Sequence, residues 1–425
     1  MEIFNYPEKD LWDEIILRPA INTAPVEKAV KKIMQKVKEN GDRALRRFTK
    51  EYDGVKIKKI RVSEKELIGA ERNIDPLLKT AIDNAKKNIE SFHALQKKEE
   101  KKIETMPGVV CWRRSVPIEK VGLYIPGGTA PLFSTVLMLG IPAQLAGCPE
   151  IVLCTPPDKS GNIHPAVLYA ARICGITNIM KVGGVQAIAA MTYGTQTVPK
   201  VFKIFGPGNR YVTYAKQMAQ MQSVAIDMPA GPSELLVLAD DTAVPEFVAA
   251  DLLSQAEHGK DSQVVLVTTS ESLARKVLAE TGKQLNKLKR KKIAKEALEN
   301  SKLIILKYKK ETIEFTNLYA PEHLIIAVSK PEETVRRITA AGSVFIGNYS
   351  PESAGDYASG TNHTLPTNGF AAMYGGISID SFVKKITYQQ LTKEGLKLIS
   401  NTVITMAKAE GLDAHRKAVT IRLKN

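Results

Sequence analysis

VGLYIPGGTAPLFSTVLMLGIPAQLAGCPEIVLC, residues 121–154, sets the fold class. Two short aliphatic runs, 121–125 and 151–154, flank an apolar stretch long enough for a helix. The first run ends in Pro-Gly-Gly and the second runs into Thr-Pro-Pro. Strand, glycine turn, helix, strand is the unit of a parallel sheet with crossover helices. Further runs of the same kind stand at 179–182, 201–205, 235–238, 264–267, 303–306 and 344–346. Eight are many for one sheet and comfortable for two, so an α/β fold with two parallel-rich sheets is expected.

Upstream of residue 116 the pattern is helical. Thr23 can cap a helix starting near Pro25, with Val26, Val30, Ile33, Met34 and Val37 on one face and Gly41 as the stop. Ser63-x-x-Glu66 reads as a capping box opening a long apolar periodicity to Phe92, which the charged run 97–102 ends. Residues 348–368 (NYSPESAGDYASGTNHTLPTN) lack periodicity. A loop that long in a compact chain is usually functional or disordered, and its Asp356 and His363 favour function. A helical pattern resumes over 388–410, Gly411 breaks it, and a short arm with His415 follows.

The chain has 425 residues, which suggests two to four domains at roughly 150 residues each. A hydrophobic fraction of 44% and a charged fraction of 25% exclude disordered, collagen-like and disulfide-scaffold classes. The best membrane-span candidate, 132–147, is interrupted by Ser134, Thr135, Pro142 and Gln144. The acidic start MEIFNYPEKD argues against a signal peptide, and four Cys without a CxxC pair read as reduced thiols. A cytoplasmic protein is the expectation. The net charge of +15 is concentrated: residues 283–310 hold eleven Lys or Arg against two Glu. With one aromatic and no nucleic-acid motif, that segment reads as a solvated Lys-rich helix followed by a strand.

Chemistry is suggested at five places. Glycine turns at 121–128, 181–190 (KVGGVQAIAA) and 203–211 (KIFGPGNRY) would let backbone N–H groups approach a phosphate, although none satisfies GxGxxG. In DLLSQAEHG, Gln255 and His258 fall on one face of a helix opened by Pro245, a candidate half-site for a metal. Spacing alone leaves Gln255 and Glu257 open as ligands. Glu322 and His323 are adjacent after Pro321, a carboxylate beside an imidazole on a turn before an apolar strand. Asp356 and His363 share the long loop, and His415 has Glu410 nearby. His93 and His164 sit in polar surroundings and are set aside. Asp, His and an amide oxygen make a reasonable zinc set, though these are scattered along the chain.

GLYIPGGTAPLFSTVLMLGIPA, FGPGNRYV, AIDMPAGPSE, DLLSQAEHG, NLYAPEHL, SAGDYASGTNHTLPT and AEGLDAHRKAV together resemble the histidinol dehydrogenase family, from about residue 20 onward. The resemblance implies NAD-linked, zinc-dependent oxidation of L-histidinol to L-histidine by way of the aldehyde. It implies two incomplete Rossmann-like domains, small terminal helical domains and an intertwined, domain-swapped homodimer. The domains would be 20–123 with 234–315, and 124–233 with 316–380; residues 1–19 and 381–425 would be the small terminal segments. Zinc ligands would be Gln255, His258, Asp356 and His415. NAD contacts would be Tyr124, Gln186 and Asn209. Substrate contacts would be Ser134, Ser233, Gln255, His258, His323, Asp356, His363, Glu410 and His415, the last two reaching the other subunit's site. Glu322 and His323 would be the catalytic pair. A paralogue acting on another amino alcohol is the alternative.

Overall fold

The computed structural model describes residues 1–18, 24–97, 100–127, 130–229 and 231–424. The expected cap Thr23, Gly128 of the first glycine turn, and residues 98–99 of the charged run lie outside them. In chain order the strands are β1 (Glu2–Asn5), β2 (Ile103–Met106), β3 (Val109–Pro117), β4 (Lys120–Tyr124), β5 (Glu150–Thr155), β6 (Asn178–Lys181), β7 (Lys203–Phe205), β8 (Ala225–Ile226), β9 (Glu234–Ala239), β10 (Gln263–Thr268), β11 (Lys302–Ile305), β12 (His323–Ala327), β13 (Ser343–Ile346) and β14 (Val383–Leu391). All eight runs seen in the sequence are among them.

Two sheets are wholly parallel. The first has the order β6-β5-β4-β7-β8 and the second β1-β11-β10-β9-β12-β13. Alternate residues of each strand face opposite sides. In the first sheet Val121, Leu123 and Leu153 pack with the helices Pro76–Ala94, Phe133–Ala146 and Pro165–Ile173. Tyr124, Val152 and Cys154 pack on the other side, with Ala24–Asn40, Gly184–Tyr193 and Arg210–Gln220. The second sheet is sandwiched likewise: Leu235, Val237 and Leu266 face one core, Leu236, Leu238 and Val265 the other. Burial on both faces is why these strands read as unbroken apolar runs.

The strands partition differently from the expected domains. Residues 120–226 supply the whole first sheet, and residues 234–346 supply five strands of the second. Strand β4 therefore does not join β9 and β10, and β12 and β13 do not join β4. Residues 2–5 are not a terminal appendage but β1, an edge strand beside β11. Nor is the C-terminal part purely helical. Residues 383–391, the start of the expected 388–410 helix included, form β14, which pairs antiparallel with β3 along its whole length; helix begins only at Lys393. β14 has only half-buried and exposed positions and none fully buried, so it carries no unbroken apolar run. The capping box forms at Ser63 and Glu66, but the helix it opens ends at Ala70, and a second one starts at Pro76 with Asp75 as cap. No described helix is long and apolar enough to cross a membrane.

Candidate active site

In the first sheet the chain leaves β4 toward β5 on one side, while β7 lies on its other side. Such a switch point opens a crevice beyond the C-terminal strand ends, where open α/β sheets take their ligands. Tyr124 closes β4; it is buried, and its hydroxyl accepts the Gly184 N–H at 3.0 Å. Gln186 is buried in the first turn of the following helix. Asn209 caps Arg210–Gln220, accepting the N–H groups of Tyr211 and Val212 at 3.0 and 3.2 Å. The turn between β7 and Asn209 is fixed from below. Gly206 (φ +123°) stands where a Cβ would overlap the Tyr124 carbonyl, its N–H donates to Asp227 at 2.8 Å, and its carbonyl accepts from Lys216 at 2.8 Å. Lys216 and Asp227 form a buried ion pair that the sequence did not announce. Glycine-tight strand ends and two helix N-termini at one crevice suit a dinucleotide's pyrophosphate.

The reactive pair belongs to the second sheet. His323 is the first residue of β12, opposite Leu235 of β9, and Glu322 immediately precedes it. Both are clamped by one residue. The Glu234 N–H donates to Glu322 Oε2 at 2.8 Å, and His323 Nδ1 lies 3.2 Å from the Glu234 carbonyl. The Glu234 side chain is pinned in turn by Arg18, at 3.1 and 2.9 Å, and the Arg18 guanidinium stacks 3.8 Å from the Tyr319 ring centre. His323 is thus on the strand itself, not on the irregular turn expected for both, yet its Nδ1 stays 3.7 Å from Glu322 Oε2. Burial pushes Glu322 up to about 8, with the His323 charge pulling the other way. Burial opposes a charge on His323, but the carboxylates of Glu322, Glu352 and Asp356 outweigh it and push the imidazole up to about 10.

Around this pair stand the metal-type donors. Gln255 is fully buried in the last turn of helix Pro245–Ala256, and His258 lies just beyond its end. The long loop carries a helix, Glu352–Tyr357, that puts Glu352 and Asp356 one turn apart. Donor atoms of His258, Glu352 and Asp356 lie within 4.8 Å of one another. Turned with its nitrogen inward, the Gln255 amide donates to both Glu352 oxygens, 3.3 Å to Oε2. His323 Nε2 is buried without a hydrogen-bond partner, 3.7 Å from Asp356 Oδ1. Imidazole, carboxylate and amide oxygen beside an orphaned imidazole nitrogen are donors of the kind zinc takes. His363 closes the group, its Nδ1 2.9 Å from the Asp356 carbonyl and its Nε2 3.2 Å from Thr135 Oγ1, next to buried Ser134. A cavity of about 110 Å³ lined by Gly206, Gly208, Ser233, Glu322 and His363 joins the two sheets.

Glu410 and His415 are exposed, at and beyond the end of helix Lys393–Ala409, and neither joins the donor cluster within this chain. His164 caps a helix, accepting the Ala166 N–H at 3.2 Å. His93, set aside as polar, is fully buried; its Nδ1 lies 3.1 Å from Gln96, and its Nε2 faces Asn362 at 3.4 Å, so it braces the residue before His363. The Lys-rich segment also comes closer than its place in the sequence suggests. Lys289, Arg290 and Lys292 line a cleft of about 470 Å³ with Ala130. Sequence reasoning missed Glu234 and Glu352. Only the second left a trace, its spacing of four from Asp356.

The family model for histidinol dehydrogenase matches residues 16–423. A histidinol dehydrogenase of Bacteroides thetaiotaomicron is 58% identical over 423 residues, covering 100% of this chain and 99% of its own. One from Aliivibrio fischeri is 52% identical, covering 97% and 94%. The crystal structure of histidinol dehydrogenase from Elizabethkingia anophelis superposes with a TM-score of 0.98 at 56% identity, over 100% of this chain and 98% of that one. Matched end to end in sequence and in fold, the chain belongs to the histidinol dehydrogenase family.

Proposed function

We propose that this protein oxidises L-histidinol to L-histidine through enzyme-held histidinaldehyde, and that its site is completed by a second copy of the chain. The observation that carries the reading is the buried Glu322–His323 pair, gripped by the backbone of the single residue Glu234, with Glu322 lining a cavity between the glycine turns and the donor cluster. Tyr124, Gln186 and Asn209 would hold NAD⁺, which would supply the hydride acceptor for each oxidation. Zinc, held by Gln255, His258, Asp356 and His415 of the partner subunit, would keep the substrate's imidazole and amine in register and offset the carboxylates that favour a charged His323.

The chain's own residues then divide the proton work. The Glu234 carbonyl can accept from His323 Nδ1–H, which leaves the unpartnered Nε2 free to take the alcohol proton. Glu322, buried and held by the Glu234 N–H, takes a proton from the water that adds to the aldehyde. As the hydrate forms, His323 returns its proton to the aldehyde oxygen, and Nε2 is then free to take the hydrate's proton in the second oxidation. Ser134, Ser233 and His363 line and orient the substrate, with Asp356, and with Glu410 from the partner. The three thiols of Cys148, Cys154 and Cys174 are buried and pushed up to about 11 or 12 by that burial, unsuited to an acyl-enzyme. A cytoplasmic homodimer follows from the same reading.

The first test is NADH formed per L-histidinol consumed, with zinc supplied and again after chelation. Two NADH per substrate, lost on chelation and regained with zinc, is the expected outcome. No NADH from zinc-loaded protein would turn the reading toward another amino alcohol. The shared site is tested by mixing subunits inactivated at His258 with subunits inactivated at His415. Some mixed dimers should regain a working site, and no recovery despite proven subunit exchange would sink the swapped arrangement.

A further inference from the structure

We propose that Glu352 is a positioning residue that orients the Gln255 amide, presenting its oxygen, and not its nitrogen, to the metal. The inference rests on Gln255 being a zinc ligand. A glutamine amide has two ends of nearly equal size and opposite polarity, and only the oxygen can coordinate a cation. Something must decide which end faces the donor cluster. Glu352 is fully buried, so its carboxylate needs partners within the protein. It finds two. With its nitrogen turned inward the Gln255 amide donates to both carboxylate oxygens, and His323 Nδ1 stands 3.8 Å from Oε1.

In its ionised form the Glu352 carboxylate accepts hydrogen bonds and donates none, so the amide then meets it with its nitrogen. The oxygen is thereby turned away from Glu352. The same carboxylate faces the imidazole of His323, so one buried group ties the metal's amide ligand to the base. The competing role is direct coordination, because a Glu352 oxygen lies within 4.8 Å of the donors of His258 and Asp356. With the amide nitrogen turned toward it, both of its oxygens are taken up by Gln255, which favours orientation over coordination.

The experiment measures the zinc dissociation constant of the full-length protein. Metal is stripped with a chelator, and zinc alone is returned in competition with a chromophoric chelator. Four variants are compared with the parent: Gln255→Ala, Glu352→Ala, Glu352→Gln and the double Gln255→Ala/Glu352→Ala. Gln255→Ala and Glu352→Ala should each weaken zinc by about 10- to 100-fold, the usual cost of losing an orienting partner. Glu352→Gln keeps an oxygen that can accept from the Gln255 nitrogen, so it should stay within about threefold. The double variant should bind no more weakly than Gln255→Ala alone, because both changes act through one donor. Melting temperatures of the metal-free forms separate a lost fold from a lost ligand, and the near-isosteric Glu352→Gln guards against it. Glu352→Gln as weak as Glu352→Ala would make the carboxylate itself a ligand and overturn the proposal. Unchanged affinity in Glu352→Ala, with Gln255→Ala weakened, would overturn it alone. Unchanged affinity in Gln255→Ala would remove the ligand assignment beneath it.

Discussion

Under the proposed division of roles, Glu322→Gln should separate the two oxidations. The Glu322 oxygen that accepts the Glu234 N–H at 2.8 Å has a counterpart in the glutamine amide oxygen, so the clamp on β9 survives. What is lost is a base whose pKa burial has pushed up to about 8, close to a working pH, where general-base catalysis is most effective. Removing such a base costs about 10²- to 10⁴-fold, or roughly 3–5 kcal/mol at 1.36 kcal/mol per tenfold. That loss should fall on aldehyde oxidation, which needs an activated water. Alcohol oxidation, which relies on His323 Nε2, should change by less than about tenfold. Single-turnover NADH formation, started once from L-histidinol and once from the aldehyde, resolves the two. The parent's aldehyde step should quicken with pH up to about 8, as Glu322 ionises, and the variant should lack that limb. Equal slowing of both steps would refute the division of labour.

His323→Asn should slow both oxidations by about 10²- to 10⁴-fold, since the same Nε2 serves each; a variant slowed only from the aldehyde would contradict this. Arg18→Met leaves the Glu234 carboxylate, 1% exposed, without its counter-charge, and should cost about 3–5 kcal/mol in urea unfolding. The double variant Arg18→Met/Glu234→Gln should recover most of that loss, and an equally unstable double would show that the ion pair is not the cause. Asp53 has a buried oxygen without a partner, and burial pushes its carboxyl from 3.8 up to about 6. A raised carboxyl makes the folded state hold a proton the unfolded state has shed, so stability falls as pH rises from about 4 to about 6. Asp53→Asn should therefore raise the melting temperature above about pH 6 and leave it unchanged below about pH 4. An increment independent of pH would count against the unpaired carboxylate.

The strands of both parallel sheets were legible because burial on two faces writes a continuous apolar word, as in 235–238 and 264–267. Which strands share a sheet was not, since an apolar run carries no record of its neighbour. Strand β1 is mostly exposed, and β14 has no fully buried position, so both escaped the same rule. At the site, adjacency made Glu322–His323 visible, and glycine made the turns visible. The Arg18–Glu234 pair spans 216 positions, a separation that only the folded chain closes. Glu352 hid in a stretch without periodicity, because a helix of six residues is too short to show one.

The donor cluster and the glycine turns are drawn from different sheets. His258, Glu352 and Asp356 belong with the second, while Tyr124, Gln186 and Asn209 belong with the first. Damage to the molecule is therefore separable by what it spoils. A lesion confined to residues 120–226 should compromise nucleotide capture and leave metal retention intact, and one among residues 234–357 should do the reverse. Each ligand becomes a gauge of its own half of the protein, and turnover alone reads both halves at once.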